Sequence, residues 1–349
     1  MVKIVGVDIG RHSLRAVELH GAEKARPVVA RAHAVPLHED SVRRGEVLDA
    51  NAVAVAFRRL WSTGGFGTRD IVLGMGGPGV IARELTVPSA PLGRIREALP
   101  FQVQEHLPIP VADAVLDFYP IAEAPPANGV PMVSGLLIAA AKQAVGGNLA
   151  AAAAARLRVA EVDLVPFAIT RALGREMPAA TPFAIVNVGA DTTSISVVAN
   201  GVPQFVRIVP FGGDDITRAL MSRLELGYEQ AEQLKRSLGL AGSMVPPEHR
   251  PAVETIYQVT TELMSSLRNT FSYYASSVPG RGISQVIISG GASRMPGFAA
   301  AVGELVAVPA TARDPFATLT MGRRAREQLL EHPDTDFTTA VGLALGSKP

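Results

Sequence analysis

The chain has 349 residues, of which 48% are hydrophobic and 19% are charged, so it holds enough apolar material for two buried cores. Its 33 basic and 32 acidic residues leave a formal net charge of +1, which gives no reason to expect a nucleic-acid partner. The absence of cysteine excludes disulfides and thiolate metal sites.

The first part of the chain has the pattern of a small β-sheet with one helix. β-Branched segments at 3–9 and 14–19 flank a short polar turn, which predicts a hairpin. We expect a third strand at 27–36, a helix at 47–61 and a further strand at 70–75. The chain opens without the charged-then-apolar pattern of a signal peptide, so we expect a cytoplasmic protein.

The composition changes between residues 85 and 166. A proline-rich stretch leads into a short helix, and strand-like segments follow on either side of an expected loop at 124–131. The most apolar stretch, 136–157, is rich in alanine and interrupted by polar residues, which favours a strand end and a helix over a membrane span. Segment 85–166 is therefore predicted to be a small inserted subdomain.

The second half restarts the pattern of the first. FAIVNVG at 183–189 is typical of a buried strand, and a turn and a return strand follow it. A further strand ends in the glycine pair of FGGDD at 211–215, where Asp214 is expected to cap the next helix. Helices are predicted at 214–240 and 248–278, followed by a strand, a glycine-rich turn and a short apolar helix.

Two strand–glycine–turn motifs occur half a chain apart. VDIG at 7–10 and VNVG at 186–189 are each followed by small or hydroxyl residues and a return strand. One such hairpin is common, but two at this separation indicate an internal duplication and hence two related lobes.

Each turn could hold a phosphate, because backbone N–H groups around a glycine can converge on an anion without obstruction by side chains. Asp8 at the strand end is placed to hold Mg²⁺ through water. Arg11 or Arg15 could add positive charge. Ser13 in the first turn, and Thr192 or Thr193 in the second, could add hydroxyl donors. For His12 we favour the ordinary interpretation as a solvent-exposed turn residue.

Two motifs in the second half fit the rest of a nucleotide. In ISGGASRMPGF at 288–298 a strand ends in Gly290 and Gly291, which would let a flat ring or a ribose approach the backbone. In YEQAEQLKRSLG, Glu232 and Lys235 share one helix face, a pattern that also describes an ordinary surface ion pair. No Ser–His–Asp set, GxxxxGK[ST] loop or histidine i,i+4 pair is present, so no catalytic residue is assigned.

Taken in order, these motifs resemble those of the actin, sugar-kinase and DnaK-type ATPases. Within that superfamily the chain is similar to the PilM family of type IV pilus assembly proteins. The similarity is carried by VGVDIGRHSLRAVEL, LTVPSAPLGRIREALPFQVQEHLPIP, FVRIVPFGGDDITRAL and RDPF, among other segments, and covers nearly the whole chain. The resemblance implies an α/β, actin-like fold of two lobes, each with a ribonuclease H-like core, and a small inserted 1C-type subdomain.

The resemblance and the motifs together give expected domains and sites. The first lobe is expected at 1–84 (subdomain 1A), the 1C-like insertion at 85–166 and the second lobe (2A/2B) at 167–349, with the last helix returning toward the first lobe. Phosphate binding is expected at Gly10, Arg11, His12, Ser13, Arg15, Gly189, Ala190, Asp191, Thr192, Gly212 and Gly213. Adenosine binding is expected at Glu232, Lys235, Gly290, Gly291, Ala292 and Arg294.

The resemblance implies ATP and Mg²⁺ as cofactors and a scaffold role beside the inner membrane. The expected partner is the N-terminal tail of a PilN-like membrane protein, held in a groove of subdomains 1A and 1C. Other platform and motor proteins are also implied, membrane association would come only through partners, and self-association is an open possibility.

The chain departs from the family pattern at two positions. Asn187 stands where the second loop usually has Asp, and Arg15 stands where the first loop often has Lys. Asn carries no charge near the metal, and phosphoryl transfer depends on accurate placement of metal and water. We therefore expect ATP binding with turnover well below about 1 s⁻¹, and steady magnesium-dependent hydrolysis at that rate would contradict this expectation.

Two other functions fit the same fold. An FtsA-like membrane tether would usually carry an amphipathic helix after a linker, whereas this sequence ends in GLALGSKP directly after a core-like helix. A small-molecule kinase would need a catalytic carboxylate, for which Asp191, Asp214 and Glu105 are the nearest candidates. Their simpler interpretations are turn, cap and surface residues.

Overall fold

The computed structural model describes residues 3–104, 107–178, 181–240, 245–277 and 282–346. Glu105, a candidate carboxylate of the kinase alternative, lies outside the described residues. The strands are β1 (Lys3–Ile9), β2 (Ser13–His20), β3 (Val28–Pro36), β4 (Val42–Arg43), β5 (Glu46–Val47), β6 (Asp70–Met75), β7 (Val80–Pro88), β8 (Ala114–Ala127), β9 (Val130–Ala141), β10 (Arg158–Leu164), β11 (Phe183–Val188), β12 (Thr193–Ala199), β13 (Val202–Val209), β14 (Val286–Ser289), β15 (Ala310–Ala312) and β16 (Thr320–Met321). The helices are α1 (Ala50–Gly64), α2 (Leu92–Gln102), α3 (Lys142–Ala154), α4 (Val165–Leu173), α5 (Gly213–Leu224), α6 (Tyr228–Leu238), α7 (Arg250–Ser277), α8 (Phe298–Val306), α9 (Arg323–Glu331) and α10 (Thr338–Ala344).

Two sheets share one strand arrangement, which confirms the predicted duplication. In the first sheet β1, β2 and β3 form an antiparallel meander, and β6 and then β10 add parallel strands beside β1. In the second sheet β11, β12 and β13 form the same meander, and β14 and then β15 add parallel strands beside β11. β16 extends the first sheet at β3.

The central strands form where predicted because they are short runs of β-branched residues that are buried in a packed sheet. Val5 and Val7 of β1 and Val186 of β11 are fully buried. α1 and α3 cover one face of the first sheet, whereas α5, α7 and α8 contribute to the core of the second lobe.

The two lobes share a core along α4 and α10. Leu19 of β2 and Ile185 of β11 belong to one buried cluster with Ile169 of α4 and Ala340 of α10. α4 and α10 approach so closely that a Cβ at Gly342 would overlap the backbone of Ala168. The two lobes are therefore joined through tightly packed helix backbone.

A third sheet, in the order β7–β9–β8, carries α2 on one face. The loop expected at 124–131 is instead a tight hairpin, since β8 continues to Ala127 and β9 begins at Val130. Asn128 and Gly129 form its turn, both with positive φ (50° and 79°). Asn-Gly is a strongly preferred pair for such a hairpin turn, so the signal was present in the sequence.

Segment 85–166 divides between two units of the structure. The third sheet already begins at Val80 and ends at Ala141, whereas α3 packs on α1 and β10 pairs with β6 of the first sheet. Parallel pairing with β6 makes β10 part of the first lobe, so we propose Val80–Ala141 as the inserted subdomain.

Within the described part of the chain, no helix is both long enough and apolar enough to span a bilayer.

Candidate functional site

The two duplicated turns have the same hydrogen bond. The N–H of Gly10 donates to the Ser13 carbonyl at 3.1 Å, and the N–H of Gly189 donates to the Thr192 carbonyl at 2.9 Å. Asp8 and Asn187 each stand one residue before the end of their strand, two residues before the glycine. The turns are therefore structurally equivalent, and Asn187 occupies in the second lobe the place of Asp8 in the first.

The glycine pair of FGGDD rests on the second turn. The N–H of Gly213 donates to the Gly189 carbonyl at 2.9 Å, and the N–H of Asp214 donates to the Ala190 carbonyl at 2.7 Å. A Cβ at Gly212 would overlap the backbone of Ala190. The glycine at 212 is therefore required by close backbone contact, and it fixes the start of α5 against the turn.

The predicted cap of α5 was assigned to the wrong carboxylate. The helix begins at Gly213, and the Asp215 carboxylate accepts the N–H of Gly212 at 2.8 Å. Because the helix starts one residue earlier than the prediction assumed, Asp215 lies in its first turn at the capping-box position. Asp214 is left to make contacts outside the helix.

Asp214 links the two lobes. Its Oδ2 lies 2.7 Å from Nε2 of His12 and 3.9 Å from Nε of Arg11, and its Oδ1 accepts from the Tyr228 hydroxyl at 3.2 Å. Burial, and then the nearby negative charge of Asp214, raise the pKa of Tyr228, so this phenol stays protonated. His12 is exposed in the turn, as expected, with 47% of its side chain accessible, and it also reaches the Asp214 carboxylate, a contact that the sequence did not predict.

Arg15 neutralises Asp8 at the end of β1. Its Nη2 lies 2.9 Å from Asp8 Oδ2, and its Nη1 donates to the Asp336 carbonyl at 3.1 Å. Burial raises the pKa of Asp8, and the Arg15 charge opposes that rise. The Nε of Arg15 is buried and has no hydrogen-bond partner among the described residues. Because this Nε has no solvent exposure, an anion would reach it only after the Arg15 side chain moved.

Asp336 is a site residue that the sequence analysis missed. Its Oδ2 accepts the N–H of Gly290 at 2.8 Å, and its Oδ1 accepts the N–H of Thr338 at 2.8 Å. It therefore connects the predicted adenosine turn with the start of α10 and, through its carbonyl, with Arg15. An aspartate two residues before an apolar helix is a start signal that the sequence did offer.

Glu232 and Lys235 form the predicted pair, but the pair is not on the surface. Lys235 is 6% exposed, and its Nζ lies 2.5 Å from Glu232 Oε2. The same ammonium donates to the Thr217 hydroxyl at 2.9 Å and to the Gly213 carbonyl at 3.1 Å. The pair therefore ties α6 to the N-terminal turn of α5, directly behind the second phosphate turn.

The stability contributed by this pair should depend on pH. Burial opposes the charge on Glu232, but hydrogen bonds and charge from Lys235 and Arg236 outweigh burial and lower its pKa below 4.5. A carboxyl with a lowered folded-state pKa stabilises the fold above its unfolded pKa, and this contribution is lost as the pH falls through the folded value. We expect Glu232→Gln to lower the free energy of unfolding by about 1–3 kcal/mol near neutral pH.

Urea denaturation of both proteins measures this difference, which should shrink as the pH falls below 4.5. Glu229→Gln, an exposed position on the same helix, serves as the control and should stay close to wild type at every pH. A difference that is constant across the pH range would contradict the assignment.

The glycine turn that was predicted to bind adenosine follows β14 as expected. Gly290 has φ 90° in close contact with Val188, whereas a Cβ at Gly291 would meet nothing within 4 Å. Ala292 faces Gly213 across the site. Arg294 lines one cavity with Gly290 and Asp336, and its Nη1 donates to the Pro333 carbonyl at 3.3 Å.

Several other residues in and beside the two turns contact protein groups. Asp191 is buried and accepts the backbone N–H of Arg44 from the β4–β5 hairpin, a contact between lobes that the sequence did not predict. Arg11 is held by the Asp40 carboxylate at 2.8 Å. The Thr193 hydroxyl donates to the Phe211 carbonyl, so Thr192 is the threonine left for a ligand.

Comparison with known proteins gives the family. The family model described as "Type IV pilus assembly protein PilM" matches residues 6–348. The solved PilM–PilN type IV pilus biogenesis complex matches with a TM-score of 0.86 at 25% identity and covers 100% of this chain and 99% of that chain. MreB5 of Spiroplasma citri bound to AMPPNP matches with a TM-score of 0.52 at 11% identity, covers 97% and 94% of the two chains, and indicates the fold alone.

A more distant match is the cell division protein FtsA of Bacillus subtilis, which is 22% identical over 260 residues, or 68% of this chain and 58% of that protein. A second FtsA, from Borreliella burgdorferi, is 22% identical over 46% of this chain and 41% of that protein. The chain thus spans about half the length of these curated relatives. With the duplicated sheets and turns, the comparisons show that the fold is actin-like and that the chain belongs to the type IV pilus assembly protein PilM family.

Proposed function

We propose that this chain is a nucleotide-binding scaffold of the type IV pilus assembly platform and holds the N-terminal tail of a PilN-like inner-membrane protein. The observation that carries the proposal is the match, over the full length of both chains, to a PilM solved together with PilN. In this role the chain would work beside the membrane through its partners, with other platform proteins and motors.

The residues between the two turns suit ATP with Mg²⁺. Arg15 carries a buried Nε donor without a partner among the described residues, and the Gly10 and Gly189 turns have the same internal backbone hydrogen bond, as expected for two related phosphate turns. Asp8 would hold the hydrated metal, and the metal would supply positive charge to the phosphates. Gly290 to Ala292 and the α6 pair would flank the adenosine.

Two charge pairs are already formed between the turns. Arg15 is paired with Asp8 within the first lobe, and Asp214 is paired with His12 across the lobes. A polyphosphate with its metal would compete for both pairs, so binding would rearrange one contact that spans the two lobes. With the uncharged Asn187 in the second turn, the cleft suits a nucleotide that is held more than one that is turned over.

The inserted subdomain carries an exposed aromatic side chain that suits contact with the partner tail. Phe101 of α2 is 81% exposed. Aromatic side chains are enriched in protein–protein interfaces. We place the tail here and along the adjoining surface of the first lobe.

A peptide test addresses the proposal directly. A synthetic peptide with the N-terminal sequence of a PilN-like protein is titrated in fluorescence anisotropy, with and without ATP and Mg²⁺. A scrambled peptide of the same composition is the control. Saturable binding of the native peptide alone supports the scaffold, and equal behaviour of the two peptides in both nucleotide states would exclude it.

Phe101→Ser should weaken peptide binding about 10–100-fold, because burying a phenylalanine side chain contributes about 1.5–3 kcal/mol. Leu330→Ser on α9 is the matched control, since Leu330 is 83% exposed on a different unit. The same anisotropy titration measures both variants. If both variants lose the same peptide affinity, or if Phe101→Ser loses none, the tail binds to another surface.

An FtsA-like tether remains the second candidate, supported by the sequence match to FtsA. Co-sedimentation of the full chain with anionic vesicles distinguishes the two functions. Direct vesicle binding without a partner peptide favours the tether, whereas vesicle binding that requires a lipid-anchored PilN tail favours the pilus scaffold.

A further inference from the structure

Two histidines from opposite ends of the chain meet at the edge of the first lobe. His33 lies on β3, and His332 follows the last residue of α9, Glu331. Nε2 of His332 lies 3.0 Å from Nδ1 of His33. One ligand atom from each of these two side chains and one from the Glu331 carboxylate all lie within 4.8 Å of one another.

A hydrogen bond outside the cluster fixes the tautomer of His33. The Thr63 hydroxyl donates to the Arg59 carbonyl at 2.9 Å, so its oxygen accepts the N–H of His33 Nε2, also at 2.9 Å. His33 Nδ1 then carries a lone pair. The single lone pair of His332 Nε2 accepts a long hydrogen bond, 3.4 Å, from the backbone N–H of Ala34, and a metal would replace this contact.

A cation would satisfy both nitrogens together. A histidine that binds a metal through one ring nitrogen usually donates the N–H of the other ring nitrogen to a neighbouring acceptor. For His33 that acceptor is the Thr63 hydroxyl. A tetrahedral zinc ion with Zn–N bonds of about 2.0–2.1 Å separates two such nitrogens by about 3.3 Å. The observed 3.0 Å between the ring nitrogens needs only a small adjustment to reach that separation.

We propose that His33, His332 and Glu331 form a binding site for a divalent transition metal of the zinc class. Two imidazoles and one carboxylate are a donor set that zinc accepts in proteins, with the fourth position left for water. The exposed Glu331 leaves the site open to solvent on one side.

A metal here would tie β3 to the segment that leads into the nucleotide cleft. His332 stands four residues before Asp336, which holds the N–H of Gly290 and, through its carbonyl, Arg15. Cross-linking this segment to the first lobe would stabilise the fold whenever the metal is bound, since a ligand that binds only the folded state stabilises it.

The test uses the full-length chain without a histidine tag, after dialysis against a chelator. Zinc chloride is titrated calorimetrically into wild type, His332→Gln and Glu331→Gln, with the exposed His38→Gln as the matched control. Wild type and the control should bind one equivalent. The two site variants should bind at least about 10-fold more weakly, and zinc should raise the melting temperature of wild type and the control only.

Cobalt provides an independent readout. Co²⁺ bound to nitrogen and carboxylate ligands in a tetrahedral site absorbs strongly in the visible range, whereas the hydrated ion absorbs weakly. The strong band is expected in wild type and absent in His332→Gln. Zinc binding that is equal in wild type and both site variants, with all proteins folded by circular dichroism, would reduce the cluster to a His–His hydrogen bond and overturn the proposal.

Discussion

Replacing Arg15 with methionine is expected to lower the affinity of the chain for ATP with Mg²⁺ by about 10–100-fold. The substitution removes the guanidinium that pairs with Asp8 and offers the free Nε donor in the first turn. Methionine keeps much of the length of the side chain, so packing against β1 changes little. Titration of a fluorescent ATP analogue, with competition by unlabelled ATP, measures the affinity.

Two further variants make the result specific. Arg15→Lys keeps the charge but loses the planar fork, so its affinity should fall between wild type and Arg15→Met. Arg323→Met removes an arginine that is 95% exposed on α9 and should leave the affinity unchanged. If all three variants bind ATP as wild type does, the phosphates do not lie at this turn.

The largest expected effect on stability is at the crossing of α4 and α10. Gly342→Ala should lower the free energy of unfolding by about 2–4 kcal/mol, because the new Cβ would overlap the backbone of Ala168 and separate helices that both lobes share. Chemical denaturation monitored by circular dichroism measures the change. A loss of cooperativity between the lobes would appear as a second transition.

Gly146→Ala in α3 is the matched control. Gly146 is exposed inside a helix, and a Cβ there would meet nothing within 4 Å. Alanine is the better helix former, so this variant should gain about 0.5–1 kcal/mol. The same substitution of glycine by alanine should thus lower the free energy of unfolding at residue 342 and raise it at residue 146. A similar effect at both positions would contradict the packing argument.

The sequence predicted the two turns of the site because their signals are local. The strand, the glycine and the return strand around Gly10 and Gly189 lie within a few residues of one another, and both sheets formed as the duplication indicated. The Asn128–Gly129 hairpin turn was an equally local signal, but segment 124–131 was predicted to be a loop. The cap of α5 was misassigned because Asp214 and Asp215 are adjacent in the sequence, and the residue at which the helix begins decides which of them caps it.

What the sequence by itself determined is the two-lobed α/β architecture and the family, since strand periodicity, glycine turns and their repetition are properties of neighbouring residues. Only the tertiary structure decided which charges meet. The pattern of α6 fits a surface pair, yet Lys235 is buried against α5. His12 with Asp214 and His33 with His332 join residues far apart in the chain. Such contacts depend on how the sheets and connecting helices pack. No local sequence pattern indicates which residues far apart in the chain will come into contact.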